Sequence, residues 1–497
     1  MGKESLPRIV GAGATSASMH DHISAVLVTS SFVAVLVFAV MYLGDNSVQL
    51  PSWMIDPSHP NATLSDEVHL GATAAGLSFA GVLGIVTVWL TLLFLSAWLL
   101  IILGQLMLIL ALAGTGAGLL YASQNEICVS HTVTVAGIST VVSQCSPQEF
   151  QGWFYIGAIV CFALAALILL WLFCIRERIA FTAMILKSVS TVLIQLPELI
   201  LIQFGASLLS VGYAIVWFFA YMEVVSRTNG MAWYYIAILN IVMLFLFFWH
   251  QLVFMNISLV TTCGAVGGWY FSPQETTSRG CFMCRPAVCT PLIRACSLSL
   301  GSIALGSLLV AVVRTIIVIV RFCAESAGNT NEIVKIAFCC CICMLSCLER
   351  IIKWLTDYAF VYVAIYGTPF ITSGMKVVEL LLSSGVGAIA QQSLITPVIN
   401  LACLLGLCAG GALGYLAESV CDLGPVYLGI TIGGAVGWIL TGIALAPVDA
   451  GSKALFVCYA ESPKEMQEKS PSLAAKLAEG APLSPGTKDA DNIGPVP

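Results

Sequence analysis

The sequence predicts an all-α, polytopic membrane protein of about ten transmembrane helices, with one amphipathic helix at the inner surface. Composition is the first reason. Of the 497 residues, 59% are hydrophobic and only 9% are charged, against about 45–50% and about 25% in an ordinary soluble chain. The mean hydropathy is +0.96. The second reason is where charge is missing. No Asp, Glu, Lys or Arg lies between Glu67 and Glu126. As a helix that run is about 87 Å long, nearly three times a hydrocarbon core of about 30 Å, so it holds at least two spans. The third reason is that the few Lys and Arg residues fall into segments that alternate with basic-free loops, as short loops on opposite sides of a membrane do. The runs are continuously apolar and do not alternate with polar residues, which favours helices over a barrel. A soluble enzyme, a secreted domain, a disordered scaffold and a nucleic-acid binder are excluded by the same counts, and the net charge of -6 resides in ends and loops.

The elements follow in order. Residues 1–21 read as a cytosolic tail with Lys3 and Arg8. The apolar run Ile23–Leu43 is longer than a signal-peptide core, so it is expected to remain as the first span. Residues 22–122 are expected to hold three spans around an outer loop at 44–68, and 123–152 a second outer loop; neither loop has Lys or Arg. Asn61-Ala62-Thr63 in the first is a glycosylation sequon. Residues 153–320 form the expected transmembrane core. Within it, 179–196 interleaves Ile179, Met184, Val189, Val192 and Leu196 with Lys187, Ser188, Ser190 and Gln195, and reads as the inner amphipathic helix, ended by Pro197. The charge-free run 233–271 is either a hairpin or one pass broken at Gly264, Gly267 and Gly268. Arg279, Arg285 and Arg294 follow it and favour the broken pass.

The least legible part is 321–388, a Cys-rich inner or membrane segment where Lys335, Glu349, Arg350, Lys353, Asp357 and Lys376 interrupt the apolar runs. Its helices either cross or lie at the inner surface. Residues 389–460 hold the last two spans, with glycines 406–414 and 429–442 read as close helix packing. Lys453, Lys464 and Lys469 mark the inner side, and 461–497 reads as a disordered cytosolic tail rich in Pro, Ser, Lys and Glu.

Few constellations carry chemistry. Cys128 and Cys145 share the second outer loop and suggest a disulfide. Cys281, Cys284 and Cys289 supply one ligand too few for a structural zinc. Cys339, Cys340 and Cys341, with Cys343 and Cys347, stand beside basic residues and suit palmitoylation or apolar filling. His20, Asp21 and His22 read as an interfacial cap. His250, within a span, is a functional candidate or a helix-to-helix hydrogen-bond partner. No nucleophile, metal set or phosphate loop appears, so no enzyme, metal or cofactor is expected. Tyr213, Trp217 and Tyr221 follow helical spacing ahead of Glu223, and Trp269 and Tyr270 follow the glycines of 264–268. A quaternary ammonium is held by such π faces within about 6 Å. Interfacial aromatic belts are the simpler reading of each residue alone.

Several motifs carry a resemblance. Thr262-Cys263-Gly264-Ala265-Val266-Gly267-Gly268-Trp269-Tyr270-Phe271, Ser299-Leu300-Gly301-Ser302-Ile303-Ala304-Leu305-Gly306-Ser307, Cys347-Leu348-Glu349-Arg350, Ala364-Ile365-Tyr366-Gly367-Thr368-Pro369-Phe370 and Phe456-Val457-Cys458-Tyr459-Ala460-Glu461 resemble, in order and spacing, the choline transporter-like family. The resemblance covers about residues 170–465. Ser462 stands where the family tends to have Asp, and the N-terminal third matches in hydropathy alone. The resemblance implies transport of choline, or in some members ethanolamine, across a bilayer without sodium coupling, with the plasma membrane as the expected site. It implies Trp269, Tyr270, Trp217, Tyr213, Tyr221 and Glu223 as substrate-binding candidates only through the chemistry above. A non-transporting membrane scaffold or trafficking protein, and a channel-like pore, stay open as alternatives.

Overall fold

The computed structural model describes residues 19–45, 64–124, 128–135, 138–145, 148–228, 231–271, 285–326, 332–384, 387–421 and 426–461. Apart from one two-stranded hairpin, its regular elements are helices: α1 (Met19–Asp45), α2 (Leu64–Gln124), β1 (Cys128–Val135), β2 (Ile138–Cys145), α3 (Gln148–Gln195), α4 (Glu198–Arg227), α5 (Trp233–Phe271), α6 (Pro286–Cys296), α7 (Leu300–Ser326), α8 (Glu332–Tyr366), α9 (Phe370–Ser384), α10 (Gly387–Cys421) and α11 (Val426–Glu461). Among the described residues, nine helical segments are long and apolar enough to cross a membrane. Large apolar side chains stand exposed along them, such as Leu95, Leu208, Leu209 and Phe173. In water that surface would aggregate; against lipid tails it is at home. The chain is a multi-pass helical membrane protein.

The expected loop 123–152 contains the hairpin. Its strands are rich in Val, Thr and Ile, residues that fit a pleated surface. The antiparallel register sets Cys128 opposite Cys145 and Val135 opposite Ile138.

Several expectations are corrected by packing. The segment 179–196 is not a separate surface helix. It continues α3 without interruption, and Ile185, Leu186, Val189, Val192 and Leu193 are fully buried in the main core. α2 is non-helical at Ser96 (φ -141°, ψ 38°), and α3 runs antiparallel beside it, with Gly116 against Cys161 and Phe162 and the Lys187 ammonium over the Phe94 ring. α5 is one unbroken helix of 39 residues, about 58 Å long, so it neither breaks nor turns back. Its glycines serve contact instead. A Cβ on Gly267 would strike Ile365, and one on Gly264 would press on Pro291.

The stretch that hydropathy leaves open is also settled in shape. α8 lies antiparallel along α7: Gly306 packs on Phe360, and Arg314 Nε pairs with Glu349 Oε1 at 2.5 Å. Charge keeps α8 out of the nine apolar segments, yet its C-terminal part is deeply buried, with Tyr358, Phe360, Val361 and Tyr362 at 0–1% exposure. A second, smaller core gathers Val35, Ala39, Tyr213, Ala220, Val224 and Met243 between α1, α4 and α5.

At the other end of the chain, α10 and α11 meet backbone to backbone. Gly410 faces the carbonyl of Gly433, and Gly437 faces that of Gly406, so only glycine fits at the crossing. α11 continues past Pro447 to Glu461. Lys453 therefore does not mark an aqueous face: it is 3% exposed, inside the bundle.

Candidate functional site

The motifs scattered along the sequence converge on the C-terminal half of α8. Gly264 and Gly267 of α5 let that helix approach Ala364 and Ile365. Gly306 of α7 makes room for the Phe360 and Phe370 rings, and Pro291 of α6 lies on Gly264. Phe456 of α11 packs edge-on to Tyr358. Glycines on two helices, α5 and α7, thus admit the bulky side chains of one, which is how close-packed membrane interfaces are built.

Charge lies inside this hub. Lys453 Nζ donates to Asp357 Oδ2 at 2.8 Å and to Asp449 Oδ2 at 2.7 Å. Lys353 Nζ reaches Asp357 Oδ1 at 3.2 Å, and Gln392 donates to Asp449 Oδ1 at 3.1 Å. Two ammonium groups face two carboxylates, so the centre carries no net charge. That balance is what allows four ionisable groups to sit among apolar helices.

About two turns further along α8 is an aromatic pair. Tyr362 and Tyr366 are spaced i, i+4, so their rings share one face, with centroids 5.7 Å apart. Tyr362 donates its hydroxyl to Glu461 Oε1 at 2.6 Å. The Tyr366 hydroxyl is buried without a hydrogen-bond partner among the described residues. Lys376, from α9, sets its ammonium 5.9 Å from the Tyr362 ring centre and 5.5 Å from that of Tyr366, within the range of cation–π attraction. The chain turns from α8 into α9 at Gly367, whose φ of 65° is open to glycine without strain. At this turn Asp21, Ser299, Ser302, Val363, Gly367, Thr368 and Pro369 line a small cavity of about 10 Å³, room for one water.

The residues expected from sequence fall in two places. Tyr213 is buried, with its hydroxyl 3.1 Å from His250 Nδ1. Trp217 donates Nε1 to the Met243 carbonyl at 2.9 Å and stacks on Tyr221. Glu223 is buried and pairs with Arg227 one turn on. His250 also meets Ser31 and the Val28 and Leu246 carbonyls, so it ties α1, α4 and α5 together. Trp269 and Tyr270 lie near the C-terminal end of α5, within one turn of Gly267. From Leu246, which the Tyr213 hydroxyl approaches, to Tyr270 is about 36 Å along the helix. These six residues do not form one cage. The hub's own charged and aromatic groups, Asp357, Lys453, Asp449, Tyr362, Tyr366, Lys376 and Glu461, were not singled out. The i, i+4 pairs Lys353/Asp357, Asp449/Lys453 and Tyr362/Tyr366 were the available signal.

Among the described residues, no three His, Cys, Asp or Glu side chains gather to hold a metal. Cys339, Cys340 and Cys341 are exposed on α8. Asn61, Cys281, Cys284 and the tail after Glu461 lie outside the described residues.

Residues 159–464 match the family described as plasma-membrane choline transporter. The chain is 28% identical over 330 residues to a CTL-like protein of Dictyostelium discoideum, covering 65% of this chain and 56% of the relative. It is 27% identical over 238 residues to Protein PNS1 of Gibberella zeae, covering 46% and 43%. It is 30% identical over 172 residues to Choline transporter-like protein 2 of Danio rerio, covering 34% and 24%. The chain spans about half the length of the curated relatives it matches.

Proposed function

The chain belongs to the plasma-membrane choline transporter family, and on that premise we propose that it carries choline or a related amine, such as ethanolamine, across a membrane without sodium coupling. One observation carries the reading. The matched residues 159–464 are those that build the α8 hub, and within that hub an ammonium group rests against two tyrosine faces. A quaternary ammonium has no N–H to donate, so it needs π faces and carboxylates and no hydrogen-bond acceptor. The Lys353–Asp357–Lys453–Asp449 centre beside them is balanced and adds no net positive charge to repel such a cation.

In this reading both termini are cytosolic, the membrane is the plasma membrane, and the hairpin faces outward. A Cys128–Cys145 disulfide is supported by their opposed register. Directly opposed residues of antiparallel strands have Cα atoms about 4.5–5.5 Å apart, within the range a disulfide requires. A glycan on Asn61 and palmitoyl chains on Cys339, Cys340 and Cys341 complete the assignment, and no enzymatic step is part of it. Uptake of labelled choline into liposomes holding the purified chain is expected to saturate, and to persist when sodium is replaced by potassium. Uptake linear in concentration points instead to a pore, and no uptake to a scaffold.

A further inference from the structure

We propose that Lys376 is a tethered stand-in for the transported amine: its ammonium occupies the Tyr362–Tyr366 site, and a quaternary ammonium binds there when α9 withdraws it. The inference rests on the amine-transport reading and locates the cation within it.

A lysine ammonium has three donors and normally finds carboxylates or water. Among the described residues, Lys376 makes no hydrogen bond or ion pair; its contacts are the faces of Tyr362 and Tyr366, at 5.9 Å and 5.5 Å. Two ring faces within cation–π range of one point can hold a cation that donates no hydrogen bonds. The surroundings supply what such a cation needs. The ring planes are inclined by only 32°, so both can present a face to one charge. Glu461, which accepts the Tyr362 hydroxyl, fixes that ring and adds negative charge beside it. Tyr366 is held by packing and spends no hydroxyl bond.

The element that bears Lys376 is built to leave. α9 joins α8 through Gly367, at φ 65°, followed by Thr368 and Pro369. It is held by one stripe, with Phe370, Ser373, Val377 and Leu380 buried and the Phe370 ring against Phe360, while Ile371, Met375, Val378 and Leu382 on its other faces are exposed. In the proposed motion α9 pivots near Gly367 and Phe370, which takes Lys376, about two turns further on, off the rings.

The test is equilibrium binding of labelled choline to the purified full chain in detergent, with tetramethylammonium as competitor. Tetramethylammonium, which lacks the hydroxyl, is expected to compete. Tyr366→Leu is expected to weaken choline binding about tenfold, and Tyr366→Phe, which keeps the ring, to bind several-fold more tightly than Tyr366→Leu. Lys376→Met removes the internal competitor and is expected to tighten binding several-fold. It trims a half-buried side chain, so it carries the test even if Tyr366→Leu does not fold. Unchanged affinity in Lys376→Met, or equal affinity in the Leu and Phe variants, overturns the proposal while leaving the amine reading standing if the wild type binds choline. A wild type that binds neither cation overturns both.

Discussion

Replacing Lys453 by methionine tests whether the charge centre is a closed electrostatic unit. Lys453 has a side chain 4% exposed and holds two carboxylates, Asp357 at 2.8 Å and Asp449 at 2.7 Å. Removing it leaves those acids facing each other, with only the half-exposed Lys353 still paired to Asp357. Breaking a buried pair by deleting one partner costs about 3–5 kcal/mol. With an unfolding entropy of about 2 cal/mol/K per residue over 497 residues, that lowers the melting temperature by about 3–5 °C. Asp357→Asn alone costs less, because Lys453 keeps Asp449. The sign of the second step decides the matter. In the Lys453→Met background, Asp357→Asn removes a carboxylate that has lost its main partner, so there it becomes neutral or stabilising. The assay is tryptophan-fluorescence melting in detergent at one fixed scan rate, since unfolding of such a protein is irreversible. If Asp357→Asn destabilises equally in both backgrounds, the two residues are uncoupled and the unit does not exist.

Other predictions concern packing, the outer hairpin and the aromatic residues. Gly410→Ala drives a Cβ into the Gly433 backbone and is expected to cost about 1–3 kcal/mol or more. Gly212→Ala meets nothing within 4 Å and is expected to stabilise α4 by up to about 1 kcal/mol; the same melting assay reads both. Maleimide labelling of denatured protein is expected to reach Cys128 and Cys145 only after reduction, and labelling without reduction contradicts the disulfide. Trp269→Leu, next to the hub, is expected to abolish choline uptake with surface expression intact. Trp217→Phe loses the bond to the Met243 carbonyl and part of the ring contact with Tyr221 and Phe247, and is expected to cost about 1–2 kcal/mol of stability with the KM for choline unchanged.

The membrane-spanning character of most helices was legible because lipid imposes long runs without charge, and those runs are local in sequence. What was not legible depends on partners far along the chain. Glu349 and Asp357 make α8 look aqueous, and their neutralising partners Arg314 and Lys453 lie on other helices. Lys453 looked like a cytosolic marker for the same reason. The glycines at 264 and 267 were legible as special positions. Whether a helix breaks there or packs there is decided by Pro291 and Ile365, which no local window contains. The site divided likewise. The family-like motifs lie on the segments that meet at α8, and Gly367 stands within one of them. The Tyr362–Tyr366–Lys376 contact needs the positive-φ turn at Gly367 to fold α9 back on α8, so neither helix reveals it alone. Tyr213 and Trp217 had the same aromatic spacing, and their polar atoms go to His250 and Met243, in the first half of α5.

The most direct test of the central claim is counterflow. Proteoliposomes holding the chain are loaded with unlabelled choline and diluted into a trace of labelled choline. A choline carrier returns to its outer face by taking unlabelled substrate out, so the label is expected to overshoot its equilibrium level transiently, without sodium. A monotonic approach to equilibrium with no overshoot contradicts carrier transport of choline by this chain.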